Sequence, residues 1–378
     1  MRRRPRPCTR LAEVLLSIIC GPLGACSSST ESELPEPPEG AELVLEIGAL
    51  QVYDATEHSL CAGTIRRIEL HALGLAELFD IEPPRARVFV YDDFDVINEM
   101  CNSDLYVLGC APSWGAHASP DTVTHELVHV FVHAATDQTR TWPAIQEGVA
   151  FRLDGARSDF PIIVDVDAEL LAERSPSGLF QEATRHFFAW VIDEYGITAV
   201  LDAHLATSEV SQQEVAPVFA RTLGFESVAQ MQEAYVGRTK SEYPPLPDTA
   251  RVFSADELVI GVDLDTSCAG ALTEGPVGFG TGLGLHNVAR LEIPQSGQYE
   301  VSHGTIPADD FDLRLRLDQP FDGVLYPNRP ERCGNDQQVT RLFFETPGKY
   351  ELNIDHALDV SFDATVRTRY LSGRPCAR

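Results

Sequence analysis

The sequence predicts an α+β chain, a mixed small sheet with helices followed by an all-β sandwich domain, and three observations carry that prediction. Helical periodicity dominates from about residue 120 to 240, short β-branched and aromatic runs precede it, and beyond residue 247 period-two alternation between Gly, Pro, Asn and Asp turns takes over. The length agrees: 378 residues exceed one ordinary core, at about 100 to 200 residues per domain.

Residues 1–25 read as a cleavable leader. Arg2, Arg3, Arg4, Arg6 and Arg10 form a basic start, and the apolar run from Leu11 to Cys20 is too short to remain as a membrane span. Leu23-Gly24-Ala25-Cys26 resembles a bacterial lipobox, which implies a signal peptide, lipidation of Cys26 and a membrane anchor in the cell envelope; a plain secretory cut is the alternative. Residues 26–41, rich in Ser, Glu and Pro, have almost nothing to bury and are expected to be a disordered tether.

Removing the leader's five Arg and one Glu takes the formal charge from -28 to -32. Such an acidic chain without clustered Lys and Arg does not suit nucleic acid. Of nine cysteines, Cys61, Cys101, Cys110, Cys268, Cys333 and Cys376 are left after the leader and the anchor. In an oxidising compartment they allow up to three disulfides, and three lie before residue 150 and three beyond 260. Either each half keeps a free thiol or one bridge joins the halves, with Cys101–Cys110 and Cys268–Cys333 as candidate pairs.

Residues 42–246 hold the mixed part. Ala41 to Tyr53 alternates as a strand, Ile65 to Phe79 has helical spacing, and Arg87 to Tyr91, Leu105 to Leu108 and Trp114 to His117 read as short strands. Ser119 and Pro120 suit the N-cap and first turn of a helix. Further helices are expected over Pro143 to Leu153, Leu179 to Tyr195, Ala199 to Ala206, Glu214 to Leu223 and Ser227 to Tyr235, with Gly196 and Gly224 as stops. Ser241 to Pro247 is a linker. Residues 247–378 form the β domain, where Leu291 to Ile293, Tyr299 to Ser302, Leu313 to Leu317, Thr340 to Phe344 and Tyr350 to Ile354 alternate.

His125-Glu126-Leu127-Val128-His129 places two histidines four apart, one turn apart on one helix face, able to converge on one ion. Val123, Leu127, Val128, Val130 and Phe131 make that helix apolar, where unpaired polar groups are costly and a metal would offset the cost. A catalytic metal needs a third ligand and an open position. His133 fails on distance, since it lies about 12 Å along the axis from His125. Glu147, in the second apolar helix that Pro143 opens, is the better candidate.

The pair HELVH and PAIQEGVA resembles the gluzincins, zinc metallopeptidases that combine HExxH with a downstream Glu-Gly-x-Ala, over about residues 100–240. The resemblance implies a Zn2+ cofactor held by His125, His129 and Glu147, with Glu126 as general base in the hydrolysis of peptide bonds, the substrate being a peptide or protein. It implies an edge strand for substrate, for which Trp114-Gly115-Ala116 or Tyr106 to Leu108 would serve, and an oxyanion donor, for which His186 is the candidate with Tyr195 behind it. Four residues past Glu147, where some gluzincins carry Asp, this chain has Phe151, so the carboxylate that orients a ligand histidine is unassigned. The C-terminal part resembles the β-sandwich prepeptidase C-terminal domain of secreted bacterial peptidases. A catalytically inactive peptidase-like or β-sandwich surface binding protein is the competing expectation.

Overall fold

The computed structural model describes residues 34–102, 107–137, 142–154, 171, 181–236 and, from 252 to 372, the strands and turns given below. The leader, Cys26, the Ser241 to Pro247 linker, Tyr106 and Cys376 lie outside the described residues. The fold is α+β, with a small sheet set among helices.

The expected strand from Ala41 to Tyr53 is a hairpin instead. Strand β1 (Glu42–Ile47) turns at Gly48, whose φ of 61° suits glycine, into the antiparallel β2 (Leu50–Asp54). Helix α1 (Ala62–Phe79) then leads to β3 (Ala86–Val90), parallel to β2. A short helix that the periodicity did not reveal, α2 (Phe94–Met100), starts at Asp93, whose carboxylate accepts from the Asp95 N–H. Strand β4 (Gly109–Cys110) is antiparallel to β5 (Gly115–Ala118), which is parallel to β3, so the sheet order is β1-β2-β3-β5-β4.

The alternation of β3 sorts its side chains. Ala86, Val88 and Val90 face the main core, while Phe89 and Tyr91 face a second cluster with Tyr53 and Ile97. On the main-core side lie α3 (Val123–Ala135) and α4 (Pro143–Leu153), followed by α5 (Gln181–Thr207), α6 (Val215–Thr222) and α7 (Val228–Val236). Gly196 interrupts α5 with φ 81° and ψ 158°. Helix α3 begins three residues later than Ser119 and Pro120 suggest. The Ser119 carbonyl accepts from the Thr122 and Val123 N–H groups and closes a separate turn ahead of the helix.

Beyond residue 252 the chain forms two sheets. One has the order β12-β13-β10-β15-β7, from β7 (Val259–Asp265), β10 (Gly297–Ser302), β12 (Glu331–Asp336), β13 (Val339–Phe344) and β15 (Asp363–Ser372). The other has the order β11-β14-β9-β6, from β6 (Val252–Ser254), β9 (Gly282–Ile293), β11 (Asp312–Leu317) and β14 (Gly348–Ala357), with β8 (Thr273–Phe279) also paired to β9.

Two expectations are corrected. Cys101 bonds Cys110 as anticipated, but Cys268 bonds Cys61 rather than Cys333. The start of α1 lies against residues 268–275, which brings the Cα atoms of Cys61 and Cys268 to 4.5 Å. A bridge thus joins the two halves, and the described residues from Leu34 onward belong to one compact unit. The second half of the proposed tether is also placed on the protein. Residues 34–41 are partly buried, the Arg87 guanidinium donates to the Pro35 carbonyl, and the Ala41 N–H donates to Pro38 O at 3.1 Å. A proline-rich stretch has little backbone freedom to lose on docking, which favours this arrangement.

Candidate metal centre

Helix α3 is buried along most of its length, and α4 packs on it. Glycine lets α4 close on α5 as well: a Cβ on Gly148 would stand 2.0 Å from Cδ2 of Phe188, so the residue after Glu147 must lack a side chain. The outcome is convergence. His125 Nε2 lies 3.2 Å from His129 Nε2 and 3.2 Å from Glu147 Oε2, and His129 Nε2 lies 3.6 Å from Glu147 Oε1. One ligand atom from each of the three falls within 4.8 Å of the others, so this group could hold a metal ion. A four-coordinate ion with ligands at about 2.0 to 2.2 Å has ligand–ligand edges of about 3.3 to 3.6 Å; His125 Nε2 stands close to that distance from both partners, and no pair of the single-atom set exceeds 4.8 Å.

A residue that the sequence reading missed orients the site. His125 Nδ1 lies 3.3 Å from Asp154 Oδ2, and the Arg185 guanidinium lies 3.4 Å from the same oxygen. Asp154 stands just past the end of α4, seven residues after Glu147, whereas Phe151 packs its ring 4.8 Å from the His125 ring. A proton on Nδ1 donated to Asp154 leaves Nε2 bare for a cation. His129 Nδ1, by contrast, has no hydrogen-bond partner among the described residues.

Electrostatics agree with a cation site. Burial works to lower the pKa of His125, but hydrogen bonds to Asp154 and Glu147 and the charges of Glu126 and Glu147 outweigh it and hold the ring at about 10. Burial opposes ionisation of Glu147, yet its bonds to His125 and His129 keep the carboxyl well below the usual range. Negative charge therefore gathers where a cation would sit.

Glu126 is 6 % exposed, and burial raises its pKa against the pull of His129 and His125. Its carboxylate lies against β4, because Gly109 offers no side chain there: an added Cβ would stand 2.6 Å from Glu126 Oε1. Strand β4 is pinned from both sides. The Cys101–Cys110 disulfide ties it to the end of α2, and the Leu108 carbonyl accepts from the Ser119 N–H and the Thr122 hydroxyl at the entry to α3.

Other expected residues lie elsewhere. His133 Nε2 is 2.6 Å from the side-chain amide of Gln146 and outside the ligand group. His186 Nδ1 is 2.6 Å from the Tyr235 hydroxyl, in a cluster with Phe187 and Trp190, and no hydrogen bond, ion pair or ring contact joins it to the triad. Helix α5 reaches the centre one residue earlier, through Arg185. Tyr195 packs on Trp190 and Phe225. Gly115 and Ala116 pair with Arg87 and Val88 of β3 on one side, and Trp114 leads into the strand; on the other side β4, beside α3, pairs with His117 and Ala118. No model of a known family matches this chain, and no curated protein matches it either.

Proposed function

We propose that the protein is a zinc-dependent hydrolase of peptide bonds, a gluzincin-type metallopeptidase exported to the cell envelope and anchored through Cys26. The observation that carries the reading is the meeting of two imidazole nitrogens and one carboxylate beside a separate buried carboxylate, Glu126. Two histidines and one glutamate are the donor set of a catalytic zinc with one position left open.

A bound zinc supplies Lewis acidity toward a carbonyl and a lowered pKa for water. His125, His129 and Glu147 hold it, and Asp154 fixes the His125 tautomer through Nδ1. Glu126 takes a proton from the attacking water on a carboxylate oxygen and delivers it to the departing amine. Burial raises its pKa, a direction that helps it hold the proton between the two transfers. The edge of β4 receives the substrate backbone as an added strand. Leu108, 42 % exposed beside it, favours apolar residues in the peptide. The two C-terminal sheets pack face to face as a sandwich in this reading.

The test is direct. Purified protein should hold one zinc per chain, and Glu126→Gln should keep the zinc while losing about 10²- to 10⁴-fold in cleavage of a denatured peptide library. Absence of stoichiometric zinc, or unchanged cleavage by Glu126→Gln, sinks the proposal.

A further inference from the structure

Helix α1 carries a polar stripe, Thr64, Arg67 and His71, spaced i, i+3 and i+7 on one face. At its start the stripe is fastened to the C-terminal β region. Cys61 is bonded to Cys268, the Cys61 N–H donates to Gly275 O at 3.0 Å, and the Ala62 N–H donates to Cys268 O at 2.9 Å. Thr64 donates its hydroxyl to Gly275 O at 3.1 Å and accepts from the Gly275 N–H at 2.8 Å. Gly63 permits this approach, because a Cβ there would stand 2.4 Å from Thr273 O.

In the middle of the stripe Arg67 faces two ways. Its Nε lies 2.9 Å from Glu274 Oε2 of β8, while Nη2 donates to Pro120 O at 2.7 Å and Nη1 to Thr124 Oγ1 at 3.4 Å. The two side chains are only 18 % and 15 % exposed. At the far end His71 is hydrogen-bonded to the Thr124 backbone and feels the charge of Asp154. Thr124 precedes the ligand His125, and Asp154 is the group that holds His125 Nδ1. Each contact is local, but together they form one run from β8 to the first turn of α3.

We propose that the C-terminal β region is a working part of the metal centre, and that Arg67 is the positioning residue that passes its restraint to the first turn of α3. The inference rests on the zinc reading above for its functional meaning, and on the geometry of α1 for its substance. A guanidinium suits the position because its two Nη atoms donate to Pro120 O and Thr124 Oγ1 while its charge stays paired with Glu274, an arrangement that a single ammonium does not reproduce. Among the described residues Glu274 is the anionic partner of this largely buried cation; without it the fork is held by neutral oxygens.

The test uses the full oxidised chain as wild type, Glu274→Gln, Arg67→Gln, Arg67→Lys and the Arg67→Gln/Glu274→Gln double variant. Two readouts are taken: amide hydrogen exchange over residues 122–129 without metal, and zinc affinity by competition with a chelating dye. Glu274→Gln and Arg67→Gln should each speed exchange in 122–129 and weaken zinc binding about threefold to tenfold. Arg67→Lys should recover part of both, and the double variant should bind zinc no more weakly than Arg67→Gln. Faster exchange confined to residues 61–67 and 268–275, or losses that add in the double variant, overturns the proposal. A wild type that binds no zinc removes the peptidase reading instead, and the exchange over 122–129 still decides the coupling.

Discussion

Replacing Gly109 by alanine tests the placement of Glu126 without touching a metal ligand. The new Cβ would stand 2.6 Å from Glu126 Oε1, 2.7 Å from its Cγ and 2.9 Å from its Cδ. Carbon atoms settle at about 3.5 to 4.0 Å, so the overlap with Cγ is about 1 Å. The strand is poorly placed to back away, being held by pairing of Gly109 to Ala118, by the neighbouring disulfide and by the bonds to Leu108 O. The glutamate therefore moves. Displacing a catalytic group by about 1 Å costs on the order of 10²-fold in rate, and overpacking costs about 1 to 3 kcal/mol of stability. The assays are kcat/KM on a fluorogenic peptide pool, zinc affinity by dye competition and urea unfolding. Gly109→Ala should lose turnover at near-normal zinc affinity, because the added atom's nearest neighbours all belong to Glu126. Wild-type turnover, or loss of zinc in step with activity, would refute the placement of the base.

Three further outcomes are expected. Asp154→Asn should weaken zinc binding about 10- to 100-fold by releasing His125 Nδ1, while His133→Asn leaves it within about twofold, as dye competition will show. Zinc at about 100 times its Kd should stabilise the fold by about 2.7 kcal/mol, read as a rise in Tm that a chelator reverses. Burial holds His117 at about 4, and burial with the charge of His133 does the same for His204, against an ordinary 6.5. The unfolded chain thus takes up protons below about 6.5 that the folded chain refuses until about 4, so this stability is present above pH 6.5 and lost as pH falls toward 4. Since both ring nitrogens of His204 are buried without a hydrogen-bond partner among the described residues, His204→Leu should raise the urea midpoint at pH 7 and flatten its decline between pH 6.5 and 4.

The part of the site legible in the sequence is the part fixed by helix geometry. His125 and His129 share a face because four residues make about one turn, and Glu147 follows from a second apolar helix close in sequence. The orienting carboxylate was not legible, because Asp154 lies past the end of α4 and reaches His125 across the contact between two helices, which no local pattern encodes. His186 illustrates the converse: one residue of rotation on α5 turns it to Tyr235 and gives the centre Arg185 instead. The hairpin at Gly48 and the edge position of β4 were hidden for a related reason. Alternation reports which residues face the core, whereas neighbours within a sheet are settled by the whole set of strands. The Cys61–Cys268 pairing likewise depends on the docking of α1 against residues 268–275, a contact that no local pattern encodes.

The docking of residues 34–41 also sets a length scale. With Cys26 as the anchor proposed above, only the chain between it and Leu34 separates lipid from the folded body. At about 3.3 to 3.6 Å per residue that chain spans no more than about 30 Å however it runs. Arg87, by gripping Pro35, halves the leash that a free tether to residue 41 would have allowed. On that proposal the protein would sample a thin layer above the membrane, and its encounters would be with chains that lie at that surface or emerge from it.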